Sequence, residues 1–376
     1  MLRFKRDDGT SYPEWENKVL ENIFIFQYGK FNNNPDNGGI YPIYGANGII
    51  GGYNKYNAEN SIIIGHMGAN AGSVLYEKGK HFVTYNGTIT KPLNANTLNL
   101  YFGYYLLLGK NLRQICAGSG QPFLSYDMLN RIKCSVPCLE EQQKIADFLS
   151  EVDNIIAMSE QEIESLEMQK KGAMQKIFSQ EVKFKADDGS EYPEWEKTLL
   201  GNVCNINPKT NELDDMFFYI DLESIESGKL ILKEPINKTE APSRAQRVLE
   251  IGDVLFQTVR PYQMNHYYYE NKLPMQVVAS TGFAQMRLIN GDNRFLYYLF
   301  YTNDFNKSVD VKCTGSNYPA INSSELAKIK VKIPCLEEQQ KIADFLSEFD
   351  NAIEYAKEEL EVWKNIKKGL LQQMFE

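Results

Sequence analysis

The chain has 376 residues, of which 43% are hydrophobic and 24% are charged. This length allows two or three domains with cores of their own, and the composition is ordinary for a globular protein. No apolar run in the sequence reaches the roughly 18 residues of a membrane span, and the first residues lack the apolar core of a signal peptide. We therefore expect a cytoplasmic protein without membrane contact.

The acidic charge is concentrated in two segments. The net charge is −9, but residues 138–182 carry −6 and residues 335–376 carry −5, whereas residues 1–137 carry +4 and residues 183–334 carry −2. Phosphates repel the two acidic segments, while a nearly neutral domain can still present a local basic face. Charge therefore permits DNA binding by the remaining parts but does not argue for it.

The first predicted domain covers residues 1–137. Short β-type runs lie between residues 40 and 85, separated by Asn-Gly and Gly-Gly pairs that are typical of hairpin turns. A helix rich in Leu and Tyr is predicted at residues 98–114, and a short strand follows at residues 132–136.

The opening segment of this domain occurs twice. Residues 4–16 return as residues 184–196, and both copies carry Asp-Asp-Gly followed by Tyr-Pro-Glu-Trp-Glu. Asp-Gly before Tyr-Pro indicates a turn that leads into an aromatic anchor. We interpret Trp15 and Trp195 as core residues.

A longer repeat lies further along the chain. Residues 138–150 recur letter for letter as residues 335–347, a shift of 197 positions. A copy that far away indicates an internal duplication. Glu140-Glu141 opens the first copy, and we interpret this acidic pair as residues that favour the start of a helix.

Each copy is followed by a heptad pattern. Apolar or small residues recur at alternating steps of four and three, as in a helix that packs on another helix. Lys170 and Lys367 interrupt the two patterns at matching places. The pattern predicts long helices at residues 138–180 and 335–376 that pack against each other.

The second predicted domain, residues 181–334, has the same plan with different contents. Residues 314–321 align with residues 117–124 at the shift of 197, and both contain Gly-Ser-x-x-Pro. Upstream, Gln257–Pro261 replaces the Gly-rich turn at residues 65–72. The segments next to the long helices therefore match in the two domains. The segments upstream of them, which we call the interiors, differ.

These observations predict an α+β fold. Two mixed α/β domains are joined by two long antiparallel coiled-coil helices, with an internal pseudo-two-fold repeat. The predicted segments are residues 1–137 and 181–334 for the domains, and residues 138–180 and 335–376 for the helices.

Residues for catalysis or metal binding are not predicted. The six cysteines include no Cys-x-x-Cys pair, which excludes a typical zinc site. A Gly-x-x-x-x-Gly-Lys-Ser/Thr loop is absent, as is an Asn/Asp-Pro-Pro-aromatic motif. We therefore expect neither nucleotide hydrolysis nor methyl transfer by this chain.

Candidate DNA-reading residues lie in the interiors that differ between the two domains. Asn and Gln pair with adenine, Arg with guanine and Lys with phosphate, although any one such residue is ordinarily a solvated loop residue. In the first domain the candidates are Lys30, Asn32, Asn33, Asn34, Tyr44, Asn47, His66, Asn70, Ser119 and Gln121. In the second they are Lys209, Arg244, Gln246, Arg247, Arg260, Tyr262, Gln263, Asn265, His266, Ser316, Asn317 and Tyr318.

The repeated motifs resemble a known family. The run Pro-x-Leu-Glu-Glu-Gln-Gln-Lys-Ile-Ala-Asp-Phe-Leu, twice, each time after a Gly-Ser-x-x-Pro turn, resembles the specificity subunits of type I restriction–modification systems. Residues 44–49 and 65–72 also resemble a target-recognition domain of that family. The second domain departs from this pattern, since it lacks Tyr-Gly-Ala-Asn-Gly.

The resemblance implies a non-catalytic reader of double-stranded DNA. Each domain is expected to recognise one half of a bipartite, asymmetric sequence, with the helix pair as a ruler for the gap. The family also implies docking of two adenine-N6 methyltransferase subunits and a restriction/translocase subunit. S-adenosylmethionine is expected on the methyltransferase, with no cofactor in this chain.

Two alternatives have distinct consequences. A self-sufficient nuclease or methylase predicts that the purified chain alone cuts or modifies DNA. A coiled-coil scaffold that binds protein or glycan predicts no sequence preference on DNA even with partners present.

Overall fold

The computed structural model describes residues 2–31, 33–118, 120–209, 211–315 and 318–375. The chain divides into two compact units: unit 1 consists of Met1–Glu162 with Ala356–Glu376, and unit 2 of Ile163–Tyr355. This division cuts both long helices, whereas the segments predicted from the sequence keep each helix whole. Those segment boundaries stay a prediction.

In the described part of the chain, the elements up to the first long helix are seven strands followed by two short α-helices and an eighth strand. They are β1 (Glu16–Val19), β2 (Phe24–Tyr28), β3 (Tyr41–Gly45), β4 (Gly48–Tyr53), β5 (Ala58–Gly65), β6 (Val74–Val83), β7 (Gly87–Pro92), α1 (Leu100–Gly109), α2 (Tyr126–Asn130), β8 (Lys133–Val136) and α3 (Leu139–Phe178). Six strands of unit 1 form one sheet in the order β2-β7-β5-β6-β3-β4, and β1 pairs with β8.

The remaining elements include more and shorter strands. They are β9 (Glu196–Leu199), α4 (Leu200–Val203), β10 (Cys204–Ile206), β11 (Met216–Ile220), β12 (Ile225–Glu226), β13 (Lys229–Leu230), β14 (Ile236–Asn237), β15 (Ala245–Val248), β16 (Asp253–Gln257), β17 (Tyr267–Tyr269), β18 (Val277–Ser280), β19 (Phe283–Leu288), α5 (Asn293–Leu299), α6 (Asn303–Lys312), α7 (Ser323–Ala327), β20 (Lys330–Ile333) and α8 (Leu336–Phe375). The larger sheets of unit 2 have four strands each, in the orders β10-β19-β16-β17 and β14-β11-β18-β15. The interiors of the two units therefore differ, as the sequence predicts.

The frame around each interior is repeated. β1 pairs antiparallel with β8, and β9 pairs in the same way with β20. The N-cap residues of α2 and α7 are Ser125 and Asn322, 197 positions apart, and each side chain accepts a hydrogen bond from a backbone N–H of the first helical turn. Such caps satisfy N–H groups that lack a partner inside the helix.

In unit 1 the first part of α3 packs against the last part of α8. Ile145 and Leu149 belong to the same buried cluster as Met374. The ion pairs Lys367–Asp153 and Lys364–Glu160 join the two helices. The residue numbers of the pairs rise along α3, from Asp153 to Glu160, and fall along α8, from Lys367 to Lys364. The two helices are therefore antiparallel.

In unit 2 the last part of α3 packs with the first part of α8. Ile177 shares a buried cluster with Ile342 and Leu346. Lys170 pairs with Asp350, as Lys367 does with Asp153 in the other copy. The predicted α+β class, with two mixed domains, an internal repeat and two long antiparallel helices, is confirmed.

The repeated tryptophans anchor the opening segments to the long helices. Trp15 Nε1 donates to Glu141 Oε2 over 3.1 Å, and Trp195 Nε1 donates to Glu338 Oε2 over 3.0 Å. Both carboxylates are buried in the first helical turn. The interpretation of Glu141 as a helix-start residue is therefore incomplete, because this side chain also joins α3 to the opening segment.

Candidate nucleic-acid interface

In unit 1 several strand ends meet around the turn between β6 and β7. The amide of Thr84 donates to Tyr44 O, that of Tyr85 donates to Phe31 O, and that of His66 donates to Asn86 O, at 2.8–3.0 Å. The ends of β2, β3 and β5 are thereby held at one edge of the sheet. The predicted residues Lys30, His66 and Asn70 lie at or beside these strand ends.

A second loop closes on this edge. Gly68 N donates to Pro122 O over 2.8 Å, and Leu124 N donates to His66 O over 2.9 Å. These bonds attach the Gly-Ser-x-x-Pro loop to the Gly-rich turn after β5. Gln121 lies in the attached loop and is exposed.

An aromatic cluster supports the same edge. Tyr28 stacks on Tyr126 with ring centroids 3.8 Å apart, and it lies 4.2 Å from the His66 ring and 5.5 Å from the Tyr85 ring. Tyr85 is 36% exposed. An exposed ring at such an edge can stack on a base or pack against a sugar. Sequence reasoning missed Tyr28, Tyr85 and Tyr126, because no spacing pattern links them.

Unit 2 has a corresponding pair of loops. Arg260 N donates to Pro319 O over 2.8 Å, and Ile321 N donates to Thr258 O over 3.0 Å. The Gly-Ser-x-x-Pro loop is thus attached to the loop after β16. Gln257–Pro261 therefore occupies the place that the Gly-rich turn has in unit 1.

A buried glutamine organises the loop after β16. Gln257 Nε2 donates to Val259 O and to Gln263 Oε1, both over 2.8 Å, while its Oε1 accepts from Asn265 N over 3.0 Å. Gln257 is 1% exposed. Its side chain fixes the conformation of the loop, a role that the sequence alone did not indicate.

A groove borders another part of unit 2. Residues 207–209, 211–213 and 245–247 line an open space of about 580 Å³. Lys209 is exposed there, and Arg247 Nε has no hydrogen-bond partner within the part of the chain that the structure describes. Burial lowers the pKa of Arg247, but an arginine remains charged at neutral pH. The groove presents cationic donors suited to a phosphate or a base edge.

The predicted residues differ in exposure. Exposed ones are Lys30, Asn33, Asn34, Asn47, Gln121, Lys209, Arg244, Gln246, Tyr262, Gln263 and Tyr318. Half-buried ones are Asn70, Arg247, Arg260 and Asn265. Asn32, Ser119, Ser316 and Asn317 lie outside the described residues.

Three predicted residues are buried. Tyr44 OH donates to Glu77 Oε2 over 2.5 Å, and burial with this bond raises the pKa of Tyr44. His66 Nδ1 lies 2.9 Å from Leu124 O, to which it donates, and the residue is 6% exposed. His266 is fully buried, its Nδ1 accepts from Gln257 N, and burial lowers its pKa to about 3. In this geometry the three side chains contact protein groups.

Among the residues that the structure describes, no group of three or more His, Cys, Asp or Glu side chains is placed to hold a metal ion. In the same residues, no helix is long and apolar enough to cross a membrane.

A family model for the type I restriction modification DNA specificity domain matches the chain twice, at residues 12–168 and 192–362. The chain belongs to this family. The two matches coincide with the two sequence repeats, and the resemblance inferred from the repeated motifs is confirmed.

Individual family members align over most of the chain. The type I restriction enzyme MjaVIII specificity subunit of Methanocaldococcus jannaschii is 30% identical over 340 residues, which are 83% of this chain and 77% of that protein. The EcoDI specificity subunit of Escherichia coli is 24% identical over 372 residues, covering 88% of this chain and 80% of that protein.

A solved structure shows the same fold. The type I restriction–modification S subunit from M. genitalium covers 100% of this chain and 98% of its own, with a TM-score of 0.65 and 17% sequence identity. At this identity the likeness shows the fold alone.

Proposed function

We propose that this chain is a specificity subunit in which each unit reads one half of a bipartite, asymmetric DNA sequence. Sequence-specific DNA recognition is the function of the specificity family to which the chain belongs. The observation that carries the bipartite proposal is the contrast between a repeated frame and unlike interiors. A repeated frame presents two readers in equivalent ways, while unlike interiors give them unlike half-sites.

In this proposal, the sheet edge of unit 1 and the loops and groove of unit 2 form the DNA-binding surface. The edge around the β6–β7 turn offers amides and a tyrosine ring, and unit 2 offers arginines beside an open groove. Amides suit adenine, arginines suit guanine, and lysines suit phosphate. The buried residues Tyr44 and His66 would act by shaping this edge.

The two long helices would set the gap between the half-sites. Each is 40 residues long, or about 60 Å at 1.5 Å per residue. Their apolar seams and half-buried ion pairs hold them in a fixed register. Two readers on one face of a duplex suit a spacing near one helical turn, about 34 Å.

The proposal extends to partners that the family implies. Two adenine-N6 methyltransferase subunits and a restriction/translocase subunit would dock on the chain, in the cytoplasm. S-adenosylmethionine and catalysis would belong to those partners, and this chain would be non-catalytic.

The test is a map of methylated adenines in cells that carry the chain with its partner methyltransferase. The wild type is expected to give a two-part motif. Replacing residues 199–334 by the equivalent segment of another family member is expected to alter one half and leave the other unchanged. A continuous motif, or a change in both halves, contradicts the proposal.

A further inference from the structure

The loop after β5 in unit 1 and the loop after β16 in unit 2 share a backbone conformation although their sequences differ. Ala71 N donates to Gly68 O over 2.9 Å, and Gln263 N donates to Arg260 O over 3.0 Å. Gly68 and Arg260 also donate to the proline carbonyl of the neighbouring Gly-Ser-x-x-Pro loop. Equivalent residues of these two loops are 192 positions apart, whereas the prolines of the Gly-Ser-x-x-Pro loops are 197 apart, so Arg260 stands where unit 1 has Gly68.

The left-handed positions of the two loops coincide as well. In unit 1 they are Gly68 at φ 85° and Gly72 at φ 79°, and in unit 2 they are Arg260 at φ 54° and Met264 at φ 53°. Glycine adopts this conformation without strain, whereas a side chain with a Cβ is disfavoured there. An arginine held in a strained backbone conformation suggests a function for its side chain.

The side chain of Arg260 lies on an exposed ring. Its guanidinium carbon is 4.6 Å from the ring centroid of Tyr318, which is 64% exposed. Such stacking orients a planar guanidinium while its N–H edge stays free to donate. Within the described ranges, the Arg260 guanidinium has no hydrogen bond or ion pair to protein.

Hydrogen bonds hold the chain on both sides of Arg260. Gln257 binds Val259 O before it and Gln263 Oε1 after it. The Arg260 amide is bound to Pro319 O. A fixed backbone and a stacked side chain reduce the freedom that a donor loses on binding.

The equivalent place in unit 1 has different chemistry. Gln121 corresponds to Tyr318 at the shift of 197, and a Cβ added at Gly68 would meet no atom within 4 Å. Unit 1 therefore has an open space and an amide where unit 2 has an arginine on a tyrosine. One scaffold position thus carries two kinds of reading group.

We propose that Arg260, stacked on Tyr318, specifies a guanine in the half-site that unit 2 reads. Two N–H donors of the guanidinium would bind O6 and N7 of the base in the major groove, the bidentate geometry that fits guanine. Lysine cannot reproduce this fork, although it keeps the positive charge. This inference rests on the proposed function and names one contact within it.

The test is selection from a randomised DNA duplex library by the full-length chain produced together with its methyltransferase partner. Arg260→Lys keeps the charge and removes the fork. Arg260→Gly carries the residue found at the equivalent position of unit 1, so the loop keeps its conformation without strain. Arg294→Lys makes the same substitution on α5, where Arg294 pairs with Asp344, and serves as the matched control.

The wild type and Arg294→Lys are expected to select a guanine at one position of the unit 2 half-site. Arg260→Lys and Arg260→Gly are expected to lose that preference roughly tenfold or more, with all other positions unchanged. The thermal midpoint of Arg260→Gly should equal or exceed that of the wild type.

Three results overturn the inference. They are a unit 2 half-site without a guanine, an Arg260→Lys motif identical to that of the wild type, and uniformly weaker binding without a change of motif. The last result would make Arg260 a phosphate contact. A wild type that selects no two-part motif overturns the proposed function itself, so the two failures are distinguishable.

Discussion

The ammonium of Lys170 lies 2.5 Å from Asp350 Oδ1, and this ion pair joins α3 to α8 within unit 2. The equivalent residues of the other repeat, Lys367 and Asp153, form the same pair at 2.5 Å in unit 1. Both lysine side chains are 20% exposed. The two lysines that interrupt the heptad seams therefore pair with aspartates of the opposite helix. These pairs fix the register of the two helices.

A tyrosine completes each pair. Tyr298 OH donates to Asp350 over 2.7 Å, and Tyr105 OH donates to Asp153 over 2.8 Å. Both tyrosines lie outside the long helices. Each ion pair therefore also links the helices to the interior of its unit.

Removing one member of these pairs should destabilise the protein. Lys367→Met is expected to lower the free energy of unfolding by about 1–2 kcal/mol, because Asp153 keeps its charge in a half-buried position. Lys364→Met, in the more exposed pair with Glu160, is the control and should cost under about 0.5 kcal/mol. Urea unfolding measures both values, and equal losses would contradict the role of burial.

The two buried helix-start glutamates should respond differently to neutralisation. Arg3 pairs with Glu141 at 3.2 Å and with Glu14 at 3.3 Å, whereas Lys183, the equivalent of Arg3, pairs with Glu194, the equivalent of Glu14. Glu141→Gln is therefore expected to cost about 1–3 kcal/mol, since it removes the buried carboxylate partner of Arg3 and leaves only the exposed partner Glu14. Glu338→Gln should cost less, because the amide still accepts from Trp195. Matched thermal unfolding curves check the order of the two effects.

Neutralising Glu338 should also change the pH dependence of stability. Burial raises the pKa of Glu338, a shift opposed by the Trp195 hydrogen bond and Lys183 and reinforced by Glu194. A raised pKa in the folded state favours folding below the unfolded pKa, and this contribution is lost as pH rises through the folded pKa. Glu338→Gln should therefore gain stability relative to the wild type as pH rises from the unfolded pKa of a glutamate, about 4.3, through the higher folded pKa. A difference that does not vary with pH contradicts this expectation.

Alanine substitutions at three glycines in or beside the long helices should change stability in opposite directions, because the added methyl group favours the helix at two positions and clashes at the third. A Cβ at Gly172 or Gly369 would meet no atom within 4 Å, so alanine there should stabilise each helix by about 0.5–1 kcal/mol. A Cβ at Gly109 would lie 2.8 Å from Phe375 Cβ, so alanine there should destabilise by about 1–3 kcal/mol. Thermal midpoints that move in the same direction for Gly109→Ala and Gly172→Ala would contradict this assignment.

The repeats made the frame predictable from sequence. Heptad steps in the two copies are local signals, and they predicted two long helices, which the structure contains as α3 and α8. Lys170 and Lys367 appeared in the sequence only as interruptions of the seam. Their aspartate partners are about 200 residues away, and only packing reveals them.

The reading surface was less predictable because it depends on tertiary contacts. The equivalence of Gly68 and Arg260 is hidden in the sequence, since its offset of 192 differs from the 197 of the frame. Residue type suggested that Tyr44 and His66 contact DNA, but type does not reveal burial. In the sequence, Gln257 belongs to the segment that replaces the Gly-rich turn and has no predicted role, whereas its buried side chain organises the loop.

The ruler proposal is tested most directly by removing one heptad from each long helix, residues 158–164 and their equivalents 355–361. Seven residues preserve the seam and shorten each helix by about 10 Å. Methylated-adenine maps of this variant and the wild type should show the same two half-sites, with a gap shorter by about three base pairs at 3.4 Å each. Altered half-sites, or the original gap between them, would contradict the account in which two readers are held apart by the helix pair.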